Sequence, residues 1–262
     1  MAGTLAARGL SAGDRVAFLV PSSVDLLCAV LGALRTGVIP VVLNPALLAE
    51  ERMVLVEDAD PALIVDAEPP LAALFDGPPA ELAPIPLGRP MHYTSGTSGK
   101  PKGVWSGVLD ESAAWDLFQE ERTVWDFWAG DVHLVCSPLF HSAAIRFAAG
   151  TLLSGGEVVL LPRFDAVAAA SAIDSQRPTS AFMAPAHLQR LLALEQLPDL
   201  SCFRLVAHAG APSQPGLCDN GAWQLSSGEE AMYLPHASWC MSSTTKSPSS
   251  RAQPTAWRTR SR

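Results

Sequence analysis

Lysine is nearly missing from this 262-residue chain: Lys100, Lys102 and Lys246 stand against fifteen arginines. Acidic residues are missing after Glu230, while Lys246, Arg251, Arg258, Arg260 and Arg262 follow it. The formal net charge of −8 excludes a general nucleic-acid binder, which needs a basic surface to release counterions. The five cysteines are odd in number, widely spaced and without a CxxC pair. That excludes a close-spaced zinc or redox motif and argues against a disulfide framework, so the cysteines read as small buried core residues. No uncharged apolar run reaches the ~18 residues needed to cross a bilayer, and the opening MAGTLAARGLSAGD has no signal-peptide core. These absences predict a cytoplasmic chain without a membrane span. Apolar residues, by contrast, make up 48% of the chain, enough to build a full core.

Their pattern alternates between strand and helix up to about residue 215. Strands are expected at Arg15–Val20, Val38–Leu43, Ala62–Val65, Val132–Cys136, Glu157–Leu161, Ser180–Met183 and Arg204–Ala207, each a short apolar run beside turn signals. Helices are expected between them: after Ser23 through Arg35, then over 47–56, 110–128, 143–153, 166–176 and 186–194. This rhythm predicts an α/β fold of βαβ layers with largely parallel sheets. Seven prolines between 67 and 90 predict a surface connection there. In the helix over 110–128, Trp115, Phe118 and Trp125 read as core, and Glu111, Asp116, Glu120, Glu121 and Asp126 as a solvated face. Beyond Pro215 no period of 2 or 3.6 can be followed, although Trp223, Trp239 and Trp257 lie there. The expected organisation is a first βα subdomain over 1–90, a second over 91–215 and an unpatterned, non-native or disordered tail over 216–262.

The segment most informative about chemistry runs from Met91 to Val104. Within it Gly96 and Gly99 let the backbone turn its N–H groups toward an anion. Thr94, Ser95, Thr97 and Ser98 add hydroxyl donors, and two of the three lysines, Lys100 and Lys102, add point charges suited to phosphate. By composition this is a phosphate cradle or a polar hairpin turn. It is not a Walker A loop, because Thr94 and Pro101 stand where that loop needs glycine and Ser or Thr.

The string Tyr93-Thr-Ser-Gly-Thr-Ser-Gly-Lys-Pro-Lys-Gly103 resembles the signature phosphate loop of the adenylate-forming superfamily, which includes acyl-CoA synthetases. Three further stretches resemble family segments in the family's order: Ala6–Leu10 through Gly13–Ala17, Ser137–Ser142 and His208–Pro212. The resemblance covers residues 1 to about 215 and leans toward the fatty-acyl-CoA ligase branch. It implies the large N-terminal domain of such an enzyme, incomplete here, with ATP, Mg2+ and coenzyme A as cofactors and a small carboxylic acid as substrate. By the same resemblance Thr94, Ser95, Gly96, Thr97, Ser98, Gly99 and Lys102 would cradle the β- and γ-phosphates. His141 would line the acyl site, and Gly210, Ala211 and Pro212 would border adenine. Taken alone, without the motif around it, His141 reads rather as a satisfied loop histidine.

Four family features are not found: the Tyr-Gly-x-Thr-Glu stretch with its magnesium-binding glutamate, the Thr-Gly-Asp motif, the hinge, and the lysine of the mobile C-terminal domain. Ser227-Gly228-Glu229-Glu230 and Lys246 do not match them. Each lost electrostatic contact costs roughly 10²- to 10³-fold in rate. The expectation is therefore a ligase fragment with little activity alone, its last 47 residues foreign to the family pattern, or a non-catalytic nucleotide and acyl binder.

Overall fold

The computed structural model describes residues 1–94, 102–208, 224–225 and 231–233. A short helix α1 (Ala2–Ala7) precedes a three-stranded sheet built from β1 (Arg15–Phe18), β2 (Ile39–Val42) and β3 (Leu63–Val65). Its order is β2-β1-β3, and both pairings are parallel. Helix α2 (Val24–Leu34) joins β1 to β2, and α3 (Ala49–Ala59) joins β2 to β3. The Ser23 hydroxyl accepts the Leu26 N–H at the start of α2 (3.0 Å), and Gly37 takes the positive φ of +77° that ends its last turn.

The larger sheet has the order β10-β11-β9-β8-β6-β7. Strands β6 (Val132–Val135), β7 (Glu157–Leu160), β8 (Ser180–Met183) and β9 (Leu205–His208) are mutually parallel where they pair. Helices α6 (Ser142–Leu153), α7 (Ala166–Gln176) and α8 (Pro185–Leu192) make the crossovers. Strands β10 (Gln224–Leu225) and β11 (Ala231–Tyr233) add antiparallel to β9. These two lie in the stretch expected to lack structure; strands of two and three residues are too short to leave a period.

Side chains alternate between the two faces of each sheet. Val16 and Phe18 join one core with α2, whereas Ala17 and Leu19 join another with Leu55 and Ala59 of α3. Likewise Val135 faces Ala144, Ile145 and Ala148 of α6, while Leu134 and Cys136 face Ile173 of α7 and Leu188 of α8. The first cluster holds residues of β1, α2, β6 and α6 together and so unites the two sheets.

Between the sheets stand β4 (His92–Thr94), β5 (Lys102–Val104) and helix α5 (Glu111–Trp125). The proline-rich stretch is not only a surface connection. It contains α4 (Glu68–Ala72) and one 3-10 turn, with Leu71 and Leu74 fully buried. Pro69 and Pro70 are compatible with helix because they sit in its first turn, where N–H groups have no intrahelical partner.

Two further expectations are corrected. On α5 the inward stripe runs Ala114, Phe118, Glu121 and Trp125, so Trp115, one residue off it, is 48% exposed. Of the described cysteines only Cys136 is buried; Cys202 is partly so and Cys28 is exposed.

Candidate functional site

In an open parallel sheet, ligands bind beyond the carboxyl ends of the strands, where successive crossovers leave in opposite directions. That reversal falls here between β6 and β8. From β6 the chain passes through α6 to the edge strand β7. From β8 it passes through α8 on the opposite face to β9. The loop after β6 is Cys136–His141, and α8 begins two residues after β8. His141 and His187 thus flank the crevice, while His208 closes β9 opposite Met183.

The loop after β6 is tied to the first sheet. The Leu139 N–H donates to the Ser22 hydroxyl (2.9 Å), in the loop that follows β1. His141 forms the N-cap of α6 without a side-chain capping bond, its ring 4.5 Å from that of Phe140. Burial holds its imidazole below the usual histidine range. His187 stacks on Phe164 (4.0 Å between centroids), and burial, then Arg190 and His141, lowers it too.

The β4–β5 hairpin places Thr94 opposite Lys102 and Tyr93 opposite Gly103. β4 and β5 are therefore the paired strands of an antiparallel hairpin. Thr94 belongs to β4, and Lys102 is exposed at the start of β5. Ser95, Gly96, Thr97, Ser98, Gly99, Gly210, Ala211 and Pro212 lie outside the described residues.

Two anchors fix this hairpin to the small sheet. The Met91 N–H donates to the Pro40 carbonyl (2.9 Å), extending β2 by an isolated parallel bridge from Val41 to Met91. The Tyr93 hydroxyl donates to Asp58 on α3 (2.5 Å), with the Leu55 carbonyl at 3.2 Å. Burial, followed by that carboxylate, pushes the phenol above its ordinary range.

His92, between these anchors, is 9% exposed, and its Nδ1 donates to the Pro90 carbonyl (3.2 Å). Desolvation lowers its pKa to about 4; the Pro90 carbonyl opposes this, and His141 and Arg146 add to it. His92 and His187 had no role in the sequence reading. Their signal is spatial, since both gather around His141 only in the folded chain.

Glu121 corrects the expectation of a solvated carboxylate face. It receives Arg89 Nη2 at 2.5 Å and lies 3.3 Å from Arg146 Nε, with its own side chain 19% exposed. It falls on the inward stripe of α5, where a carboxylate needs cations beside it. Among the described residues no group of three His, Cys, Asp or Glu side chains could hold a metal ion. A magnesium ion that comes with ATP needs only one or two protein carboxylates beside the phosphates. Nor, among the described residues, is any helix long and apolar enough to cross a membrane.

A doubly wound sheet whose order reverses in this way defines an α/β domain with a ligand crevice at the carboxyl ends of its strands. The family model for AMP-binding enzymes matches residues 1–83 and 90–222, and the chain belongs to that family. It is 27% identical over 250 residues to the long-chain-fatty-acid–CoA ligase FadD13 of Mycobacterium tuberculosis, an alignment covering 82% of this chain and 48% of that one. The inhibitor-bound N-terminal domain of FACL13 from Mycobacterium tuberculosis superposes with a TM-score of 0.68 at 27% identity, over 82% of this chain and 61% of the other. ATP-bound MatB from Rhodopseudomonas palustris gives 0.65 at 26% identity, over 80% and 47%. The chain spans about half the length of the curated relatives it matches.

Proposed function

We propose that this chain carries the ATP-phosphate and acyl half-sites of an acyl-CoA ligase. In the reaction assigned, a carboxylate oxygen attacks the α-phosphorus of ATP, the bond to the β-phosphate breaks, and pyrophosphate leaves. The thiol of coenzyme A then attacks the acyl carbon and AMP departs. Thr94, Ser95, Gly96, Thr97, Ser98, Gly99 and Lys102 hold the β- and γ-phosphates through backbone N–H groups, hydroxyls and one ammonium. Magnesium, when bound with ATP, neutralises charge on the phosphates. His141 borders the acyl group; Gly210, Ala211 and Pro212 border adenine. Residues 1–90 form the supporting subdomain, 91–215 the site subdomain, and 216–262 a tail of which only 216–222 falls within the family match.

The observation that carries this reading is the pairing of Thr94 with Lys102, which frames the signature loop beside His92 and the loop after β6. Adenylation is incomplete on this chain, because Tyr-Gly-x-Thr-Glu and Thr-Gly-Asp strings are missing from its sequence. That observation equally favours a second reading, a nucleotide and acyl binder without turnover. Calorimetric titration with ATP and a pyrophosphate-release assay with a panel of fatty acids test both. The expected result is ATP binding without pyrophosphate release. Release refutes the incompleteness, and lack of ATP binding refutes the phosphate site. Translating the coding DNA beyond codon 215 in its other frames tests whether the tail is out-of-frame: a frame that restores the missing motifs identifies an interrupted ligase, and if neither does, the frameshift explanation is wrong.

A further inference from the structure

A partly open cavity of about 310 Å³ is lined by residues of the β4–β5 hairpin, α2, α5 and α6. Leu34, Ile85, Trp105, Phe118, Ile145 and Leu153 give it apolar walls. His92 and Ser142 lie along one side of it, and Arg89, Glu121 and Arg146 form a charged cluster. Glu121 is the one carboxylate among the lining residues, and both guanidinium groups approach its Oε1 atom. Two fixed cations against one anion leave a surplus of one positive charge. Arg89 Nε and His92 Nε2 are buried without a hydrogen-bond partner among the described residues. The Arg89 and Arg146 side chains are 40% and 36% exposed, so water solvates part of this charge, and a carboxylate can replace that water through paired, charge-assisted hydrogen bonds.

The cluster lies away from the phosphate loop along two elements. From His92, Arg89 is three residues further from the loop, about 10 Å in extended chain. From Ser142, Arg146 is four residues along α6, about 6 Å of helix. The volume accommodates roughly ten water-sized groups, close to the twelve or so heavy atoms of an eight-carbon dicarboxylic acid.

We infer that this cavity seats an acyl substrate carrying a second carboxylate, which Arg89 and Arg146 hold at the end remote from the reacting carboxyl. The inference rests on the reading of residues 94–102 and His141 given above, and it narrows the substrate class to α,ω-dicarboxylic acids of medium length. A monocarboxylic chain fills the apolar walls equally well but leaves the surplus charge uncompensated.

The test uses the full chain and a matched pair of probes, octanedioate and octanoate, titrated by calorimetry at pH 7 with ATP present. Octanedioate is expected to bind about tenfold more tightly, the value of one charge-assisted pair. Arg146→Met is expected to abolish that preference, and Arg146→Lys to keep part of it. Far-UV circular dichroism establishes that each variant is folded, and the wild-type comparison decides the matter even if one is not. Equal binding of the two acids, tighter octanoate, no binding of either, or an undiminished preference in folded Arg146→Met overturns the inference. ATP titrated alone separates the two levels. Loss of ATP binding strikes the ligase reading, whereas ATP binding without a dicarboxylate preference strikes this inference only.

Discussion

Acid is expected to unfold this protein through two histidines that the fold keeps neutral. His133 is 1% exposed on β6, shares a hydrogen bond with the Ser180 hydroxyl (2.9 Å) and stacks against Phe147. Burial lowers its pKa to about 3; Asp131 pulls the other way, and Arg204 adds to the lowering. His92 is lowered to about 4, again mainly by burial. Both titrate near 6.5 when the chain is unfolded. Between 6.5 and about 4 the unfolded chain therefore binds more protons than the folded one, so stability falls with falling pH. Their contribution is complete above pH 6.5 and is lost as pH drops toward the folded values. Each histidine costs about 1.4 kcal/mol per pH unit in that window. Together they remove about 4 kcal/mol between pH 7.5 and 5, a large share of the ~5–15 kcal/mol typical of a folded domain. Urea unfolding at pH 7.5, 6 and 5 measures this directly, with a midpoint shift of about 1 M or more expected. His133→Gln is expected to halve the slope against pH. A midpoint that stays constant from pH 7.5 to 5 refutes the reasoning, because histidines that protonate freely in the folded state add no such dependence.

Two other outcomes follow from single contacts. Asp131, 1% exposed, accepts from Thr179 Oγ1 (2.7 Å) and from Arg204 Nε (2.8 Å) and Nη2 (2.5 Å), joining the amino ends of β6, β8 and β9. Asp131→Asn leaves Arg204 partly uncompensated; discounted for the 27% exposure of that side chain, the loss is about 2–3 kcal/mol, read as the urea midpoint at pH 7.5. Lys102→Met is expected to weaken ATP binding about tenfold and to reduce its salt dependence, and an unchanged dissociation constant would remove Lys102 from the phosphate site.

Most of the large sheet was legible because its elements carry their own signals. Helix α7 and strand β8 fall at the bounds their apolar periods imply, 166–176 and 180–183. Errors arose where one residue of phase or one tertiary partner decides the outcome. Trp115 has the right spacing from Phe118 but lies off the stripe that Ala114 sets. Glu121 sits in a run of carboxylates whose other members are exposed, and only Arg89 and Arg146, from distant segments, draw it inward. In the proline-rich stretch, Leu71 and Leu74 were overlooked because proline reads as a helix breaker unless its place in the first turn is known. The signature string, which resembles that of the family whose model matches the chain, was legible as a motif. The convergence of His92, His141 and His187 was not, since it requires β4, β6 and β8 to be brought together by two sheets.

The Pro40–Met91 bond and the Tyr93–Asp58 bond give the hairpin a history as well as a position. Both anchors, Pro40 on β2 and Asp58 on α3, precede the end of β3 at Val65, about thirty residues before the loop emerges from a growing chain. During synthesis from the amino end, domains fold as units in that order. The hairpin strands β4 and β5 thus dock on a unit already synthesised when they appear, and a change at Asp58 or Pro40 would displace them with every residue of the signature intact.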